Sequence, residues 1–307
     1  MMTVGFDTSN YTTSIAYFDG ENGVNCSQLL PVKQGQLGLR QSDAVFAHTK
    51  SLPELSGRLF SHIHGKEIHA VGVSTRPRAV EGSYMPCFMV GYSHARLLAD
   101  SLHVPLIEVS HQQGHVAAAL WSAGRLDLMD TPHLAWHLSG GTTELLMVEP
   151  DGKNVRCTRI GGTTDISAGQ LIDRTGVMLD LPFPAGKHVD ELSRSAVMTE
   201  TFKVKCPEME FSLSGAENQV QQFHQKHNIP AETAAFALRC VAEAVLRATR
   251  NALREYPDLS VVFSGGVASN SMLRGCLAPI GPIFADPKYS TDNAMGVAVL
   301  ANRIVEG

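Results

Sequence analysis

The stretch Thr3-Val4-Gly5-Phe6-Asp7-Thr8-Ser9-Asn10-Tyr11-Thr12-Thr13-Ser14-Ile15-Ala16-Tyr17-Phe18-Asp19-Gly20 decides how the rest of the chain is read. It opens as an apolar strand, Thr3 to Phe6, passes a polar turn, Asp7-Thr8-Ser9-Asn10, and resumes as a strand from Thr13 to Phe18. After the turn Asp19-Gly20 a third strand runs to Leu29. The same layout returns between His133 and Ile160: a strand, the turn Ser139-Gly140-Gly141-Thr142, a strand from Glu144 to Val148, the turn Asp151-Gly152 and a third strand. Twelve positions separate Asp7 from Asp19 and Ser139 from Asp151, and a shift of 132 also lays Asn22 on Asn154. Tight Gly/Asp/Asn turns between apolar runs mark antiparallel meanders. A meander found twice predicts a duplicated domain, with one strand-turn-strand loop from each half facing a shared cleft. Turns about ten residues apart are common, so two unrelated meanders would share this spacing too.

Outward from these segments the chain alternates. Short strands are expected at Val71–Ser74, Leu106–Val109 and Ser260–Phe263. Helices are expected at Phe88–Ser101, from His111, at Ala168–Leu179, Lys187–Val197, Ala231–Glu255 and Asp292–Ile304. This order predicts a two-lobed α/β protein with a mixed sheet in each lobe and helices outside. The expected lobes are residues 1–110 and 111–290, with 291–307 as a closing helix that packs back on the first lobe.

The chain has 307 residues, 44% of them hydrophobic, enough for two cores. At a formal charge of -5 non-specific nucleic-acid affinity is not expected, so a polyanion would need a helper protein or a local basic patch; Arg76 and Arg78 would supply such a patch or stand as ordinary surface arginines. The six cysteines form no C-x-x-C pair and point to reduced thiols in the cytoplasm. The N-terminus opens into a strand pattern, so no secretory signal is expected, and no apolar run is long enough for a membrane span.

Ser110-His111-Gln112-Gln113-Gly114-His115 is the sharpest local signal. Ser110 and Gln113 form a capping-box pattern, which starts a helix at His111. His111 and His115 then lie one turn apart on one face, a spacing that suits two imidazoles on one metal ion. In a chain with 13 histidines the spacing alone equally suits a packed or solvated pair. Asp292, in Thr291-Asp292-Asn293-Ala294-Met295, is a candidate third ligand, or a carboxylate that stabilises a helix N-terminus. His62 and His64 lack helical spacing and are expected at the surface.

Two Gly-rich turns follow apolar strands, Ser139-Gly140-Gly141-Thr142 and Ser264-Gly265-Gly266-Val267-Ala268-Ser269-Asn270. Glycine lets backbone approach a ligand, and consecutive N–H groups cradle anions. The second turn leads into a helix N-terminus, which also favours negative charge. Asp165 and Ser167 are expected to cap the next helix. Asp173 lies inside that helix, where a ribose hydroxyl or a paired cation would account for it, and Pro184-Ala185-Gly186 is a turn that can approach the same ligand.

In order along the chain, H-x-x-x-H, S-G-G-x-T, D-x-x-x-G-x-x-x-D, Phe211-Ser212-Leu213-Ser214-Gly215, S-G-G-V-x-x-N and Thr291-Asp292-Asn293 resemble the tRNA adenosine threonylcarbamoyltransferase (glycoprotease-like) family, built on the actin/sugar-kinase/Hsp70 fold. The resemblance runs from Gly5 to Met295. It implies a metal, Fe2+ or Zn2+, on His111, His115 and Asp292. It implies ligand contacts from His137, Leu138, Ser139, Gly140 and Gly141, from Asp173 and Gly186, and from Gly265, Gly266 and Asn270, with Asp7 and Ser9 as catalytic candidates. It implies ATP or threonylcarbamoyl-adenylate as ligand, tRNA as acceptor, and helper proteins of that pathway.

The chain departs from the family's pattern. The family's E-T-S-C-D-(D/E)-T reads Asp7-Thr8-Ser9-Asn10-Tyr11-Thr12-Thr13, so an acidic pair has become Tyr11 and Thr12. G-P-G-L reads Arg76-Pro77-Arg78-Ala79, the acid within G-E-A-F-D is Gln170, and the lysine after S-G-L is Glu217. Three other readings stay open. A small-molecule kinase would use Asp7 beside Mg2+, and a nucleotide-binding subunit would need no turnover. A metallopeptidase ranks last, because Gln112 stands where a zincin needs glutamate.

Overall fold

The computed structural model describes residues 1–9, 11–31, 39–197 and 204–307; Asn10, the last residue of the first expected turn, lies outside them. The first sheet holds β1 (Thr3–Ser9), β2 (Thr12–Phe18), β3 (Gly23–Leu29), β4 (Ala70–Arg76) and β5 (Leu106–Ser110), in the order β3-β2-β1-β4-β5. The second holds β6 (His133–Leu138), β7 (Thr143–Asp151), β8 (Asn154–Thr163), β9 (Glu210–Phe211), β10 (Val261–Ser264) and β11 (Ile283–Phe284), in the order β11-β10-β6-β7-β8-β9. β1 pairs antiparallel with β2 and parallel with β4, while β6 pairs antiparallel with β7 and parallel with β10. The run β3-β2-β1-β4-β5 is therefore repeated as β8-β7-β6-β10-β11, with β9 added at one edge. The expected duplication is present in topology as well as in turn spacing.

The first turn differs from expectation. Asp7, Thr8 and Ser9 do not turn; they extend β1 and pair with Ser14, Thr13 and Thr12. No glycine releases the strand there, and its partners include the β-branched Thr12 and Thr13, which suit a pleated ladder. In the second copy Ser139-Gly140-Gly141-Thr142 does form the loop, closed by Ser139 N donating to the Thr142 carbonyl at 2.8 Å. The extension matters because side chains alternate along a strand. Phe6 enters the core, Thr8 accepts from Gly91 N at 3.0 Å, and Asp7 and Ser9 share the opposite face.

The described helices are α1 (Gln41–His62), α2 (Phe88–Leu102), α3 (His111–Ser122), α4 (Ala168–Met178), α5 (Gly186–Ser193), α6 (Ser214–His227), α7 (Pro230–Glu255), α8 (Ser271–Leu277) and α9 (Met295–Glu306). α3 starts with the expected box: Ser110 N donates to Gln113 Oε1 at 2.8 Å, and Gln113 N donates to Ser110 Oγ. α1 buries Ala44, His48, Leu52, Leu55 and Leu59 on one side. Pro53 and Gly57 interrupt its pattern, which hides it in the sequence. α9 is buried from Met295 to Asn302, as expected of a helix that is apolar all round. It begins at Met295, three residues later than the Asp292 start expected. No described helix is long and apolar enough to cross a membrane.

Contacts divide the chain into two compact units, residues 1–131, 149–157 and 292–307 in one and 132–148 and 158–291 in the other. α3, expected to open the second lobe, belongs to the first unit, because its helix packs among elements of that unit. The core of the first unit gathers Val4, Phe6, Ile15, Leu55, Val71 and Val73. That of the second gathers Trp136, Leu145, Leu171, Phe236, Val241 and Phe263.

Candidate metal centre and ligand loops

In the first unit, His111, His115 and Asp292 form a group whose ligand atoms all lie within 4.8 Å of one another. His115 Nε2 lies 2.9 Å from His111 Nε2 and 3.2 Å from Asp292 Oδ1, and His111 Nε2 lies 3.5 Å from the same oxygen. Each side of this triangle is set by local structure. The capped start of α3 places the imidazoles one turn apart. Asp292 stands three residues ahead of α9 and outside its first turn, so its carboxylate is not used as a cap. The segment after it is tied down by Ala294 N donating to Asn25 Oδ1 on β3 at 3.0 Å, and by Met295 N donating to Asn293 Oδ1 at 3.1 Å. Asn25 carries no recognisable sequence signal.

The donor set fits a divalent cation. Zinc–nitrogen bonds of about 2.0–2.1 Å in a tetrahedron separate neighbouring ligand atoms by about 3.3 Å. The three observed separations bracket that value. Two nitrogens and one carboxylate oxygen suit zinc or ferrous iron better than magnesium, which prefers an oxygen shell.

Asp7 and Ser9, expected to be catalytic, lie behind this group. Asp7 is 1% exposed; its Oδ2 lies 2.8 Å from His111 Nδ1 and its Oδ1 accepts from Ser9 N at 3.0 Å. Ser9 Oγ donates to Asp292 Oδ2 at 3.3 Å. Burial opposes the Asp7 charge, but His111 beside it outweighs that and holds the carboxyl below its ordinary value. Burial also works against a charged His111, yet Asp7 and Asp292 overcome it and raise this imidazole to about 10. Burial works against the Asp292 carboxylate as well, and the two histidines still hold it well below its ordinary value.

These directions give a pH dependence. An unfolded histidine titrates near ~6.5. His111 held at about 10 contributes stability to chelator-treated protein. That contribution is complete below the unfolded value and is lost as pH rises through the folded one. Metal competes with the same proton, so metal affinity moves the other way and strengthens with rising pH. The expected outcome is a melting temperature of chelated wild type that falls more between pH 7 and pH 10 than that of His111→Ala. Equal falls would contradict the protonated cluster.

In the second unit the expected ligand residues form one connected group. β10 runs beside β6 with Ser264 in register with His137, whose Nδ1 lies 3.4 Å from Ser264 Oγ. Gly265 has φ +93°, and a Cβ there would collide with the Leu138 carbonyl, so only glycine lets the two loops lie side by side. The Gly140 carbonyl accepts from Ser167 Oγ at 2.6 Å, which joins the first loop to the start of α4. On α4, Asp173 is half-buried and accepts from Ala185 N at 2.8 Å, which places Gly186 at the start of α5 beside it. Burial raises the Asp173 carboxyl, opposed by that backbone bond. Asn270 caps α8 by accepting from Leu273 N at 3.0 Å, and its other side-chain atom, the amide nitrogen, is a donor. Gly140, Gly141 and Gly266 are exposed, so their backbone is accessible to a ligand.

Two residues stand differently from expectation or were missed. Asp165 does not cap α4; Ser167 does, with Gln170 completing the box. Asp165 instead accepts from Ser212 Oγ at 2.5 Å and Leu213 N at 2.9 Å, just ahead of α6. Asp190, one turn into α5, accepts from Ser271 Oγ at 2.8 Å and Ser271 N at 3.1 Å and so anchors the chain beside Asn270. Its place one turn after Gly186 is the only signal the sequence offers. Glu217, in place of the family's lysine, accepts from Arg174 Nη1 at 2.7 Å.

The chain is 31% identical over 262 residues to a tRNA N6-adenosine threonylcarbamoyltransferase of Carboxydothermus hydrogenoformans, covering 82% of this chain and 75% of that one. It is 31% identical over 255 residues to the protein of the same name from Streptococcus equi subsp. equi, covering 78% and 72%. Among solved structures, a ROK family glucokinase from Streptomyces griseus superposes with a TM-score of 0.54 at 11% identity, over 99% of this chain and all of that one. That similarity shows the fold alone, the duplicated actin/sugar-kinase/Hsp70 type. Residues 34–299 match the tRNA N6-adenosine threonylcarbamoyltransferase family, and the chain belongs to it.

Proposed function

We propose that this protein transfers a threonylcarbamoyl group from threonylcarbamoyl-adenylate to an adenosine of tRNA, using one divalent metal, iron or zinc, held by His111, His115 and Asp292. The observation that carries this reading is the convergence of two nitrogens and one carboxylate oxygen, from residues as far apart in sequence as His111 and Asp292, within 4.8 Å in a member of this family. When bound, such an ion acts as a Lewis acid toward oxygens of the donor.

The chain's own residues supply binding and position. The donor's phosphate suits the backbone of Ser139-Gly140-Gly141 and of Gly265-Gly266, and either ATP or the adenylate would meet the same loops. Asp173 offers a carboxylate oxygen to a ribose hydroxyl, and Asn270 offers its amide N–H. Holding donor and amine together provides much of the rate in a transfer of this kind, and no acylated side chain is required. Helper proteins and the exposed Arg76 and Arg78 offset the acidic balance when tRNA binds. The kinase reading is disfavoured because Asp7 is buried, with one oxygen against His111 and the other accepting from Ser9 N, which leaves it poorly placed beside Mg2+.

One observation favours a second reading. Thr12 is in register with Ser9 and shares its face of the sheet, where the family's pattern has an acid. A member that holds metal and donor but modifies another acceptor would tolerate that loss. The test is a transfer assay with metal-reconstituted protein, threonylcarbamoyl-adenylate, tRNA and the helper proteins, comparing wild type with His115→Ala. Modified tRNA from wild type and at least about a hundred-fold less from the variant is expected. Donor consumption that depends on His115 without modified tRNA would select the second reading, and equal transfer by both proteins would sink the metal.

A further inference from the structure

We infer that Asp7 and Ser9 are positioning residues that aim the metal ligands, and that strand β1 tunes the metal rather than touching substrate. This inference rests on the metal reading above and deepens it.

The geometry is specific. Asp7 and Ser9 are two apart on β1 and therefore share a face. Each engages a different ligand on the side away from the shared triangle. Asp7 Oδ2 stands 2.8 Å from His111 Nδ1, while His111 Nε2 faces His115 and Asp292. A carboxylate accepts, so Nδ1 carries a hydrogen whether or not the ring is charged, and Nε2 is the nitrogen whose lone pair a metal would take, displacing any proton held there. Ser9 Oγ donates to Asp292 Oδ2 at 3.3 Å, while Asp292 Oδ1 is the oxygen near both Nε2 atoms. The hydroxyl thus occupies one carboxylate oxygen and leaves the other as a single ligand atom. Ser9 N donates to Asp7 Oδ1, so the two positioning groups are also tied to each other. β1 can serve as a rigid rail because it is paired on both sides, by β2 through Ser9 and by β4 through Phe6.

Outer partners of metal-bound histidines fix ring orientation and typically change metal affinity 10–100-fold when removed. Zinc affinity of the full chain is measured by competition with a chromophoric chelator for wild type, Asp7→Asn, Ser9→Ala and His115→Ala, with thermal melts of the chelated proteins as a folding control. Asp7→Asn keeps the size of the side chain, and Ser9→Ala removes only an oxygen. Expected are a ~10–100-fold weakening for Asp7→Asn and a smaller, several-fold weakening for Ser9→Ala. Nitrogen-15 NMR of the histidine rings is expected to show the Nδ1–H form of His111 in zinc-loaded wild type and a changed Nδ1–H resonance in Asp7→Asn. Variants that melt like wild type, bind zinc within two-fold of it and keep the His111 ring signals would overturn the inference. If one variant fails to fold, the other decides with the same criterion. Wild type that retains no zinc would instead defeat the metal reading itself, whatever the β1 variants do.

Discussion

The Asp292→Ala protein is expected to bind a divalent metal at least roughly a hundred-fold more weakly than wild type. Structural zinc sites yield about 10–16 kcal/mol over four ligands, so one ligand is worth about 3 kcal/mol, or two orders of magnitude. The substitution should leave the fold intact. Asp292 precedes α9 by three residues and caps nothing, and α9 stays buried through Met295–Asn302. His111 and His115 would remain as a two-nitrogen site, which retains a metal poorly during dialysis. Metal content after dialysis and chelator competition provide the measurement, with a thermal melt as control. A stoichiometric metal in a well-folded Asp292→Ala protein would show that the cation sits elsewhere.

The second large effect concerns how the metal ligands come to meet. α3 carries His115 and α9 follows Asp292, and the two helices approach closely at Gly114 and Gly296. A Cβ on Gly296 would collide with the Gly114 carbonyl oxygen and come within 2.7 Å of Ala118 N. Both obstacles are helix backbone and cannot rotate away. Overpacking a core costs about 1–3 kcal/mol when side chains can adjust, so Gly296→Ala should cost about 3 kcal/mol or more. It should also weaken metal binding, because the shift needed to relieve the collision moves Asp292 relative to His115. Gly57 is the internal contrast: it lies in α1 with nothing within 4 Å of a Cβ placed there. Gly57→Ala should stabilise by about 0.5–1 kcal/mol. Urea denaturation of the chelated proteins measures both. Unequal signs are expected, and a Gly296→Ala protein as stable as wild type would refute the close crossing.

Much of the architecture was legible in local chemistry. Ser110 and Gln113 announce the start of α3, and the turn residues of the two meanders announce a duplication that sheet order then repeats strand for strand. α1 was not legible: Pro53, Gly57 and the buried His48 break the apolar period that would have marked it. Asp165 reads as a cap for the helix that follows it, yet it serves Leu213 and Ser214, 48 and 49 residues away. Local hydrogen-bonding habits do not reveal such partners, because a carboxylate accepts from whichever N–H groups the fold delivers.

By itself the sequence determined the residue types available for a metal and a phosphate, the helical spacing of His111 and His115, and the glycines that let loops lie close. These are properties of a few consecutive residues, governed by backbone geometry and side-chain chemistry. Tertiary structure alone decided that Asp292 meets the two imidazoles, that Asp7 and Ser9 stand behind them, and that Gly265 and Leu138 touch. Those outcomes depend on which strands pair and which helices cross, and the burial energy that selects such packing is summed over the whole chain rather than written at any one position.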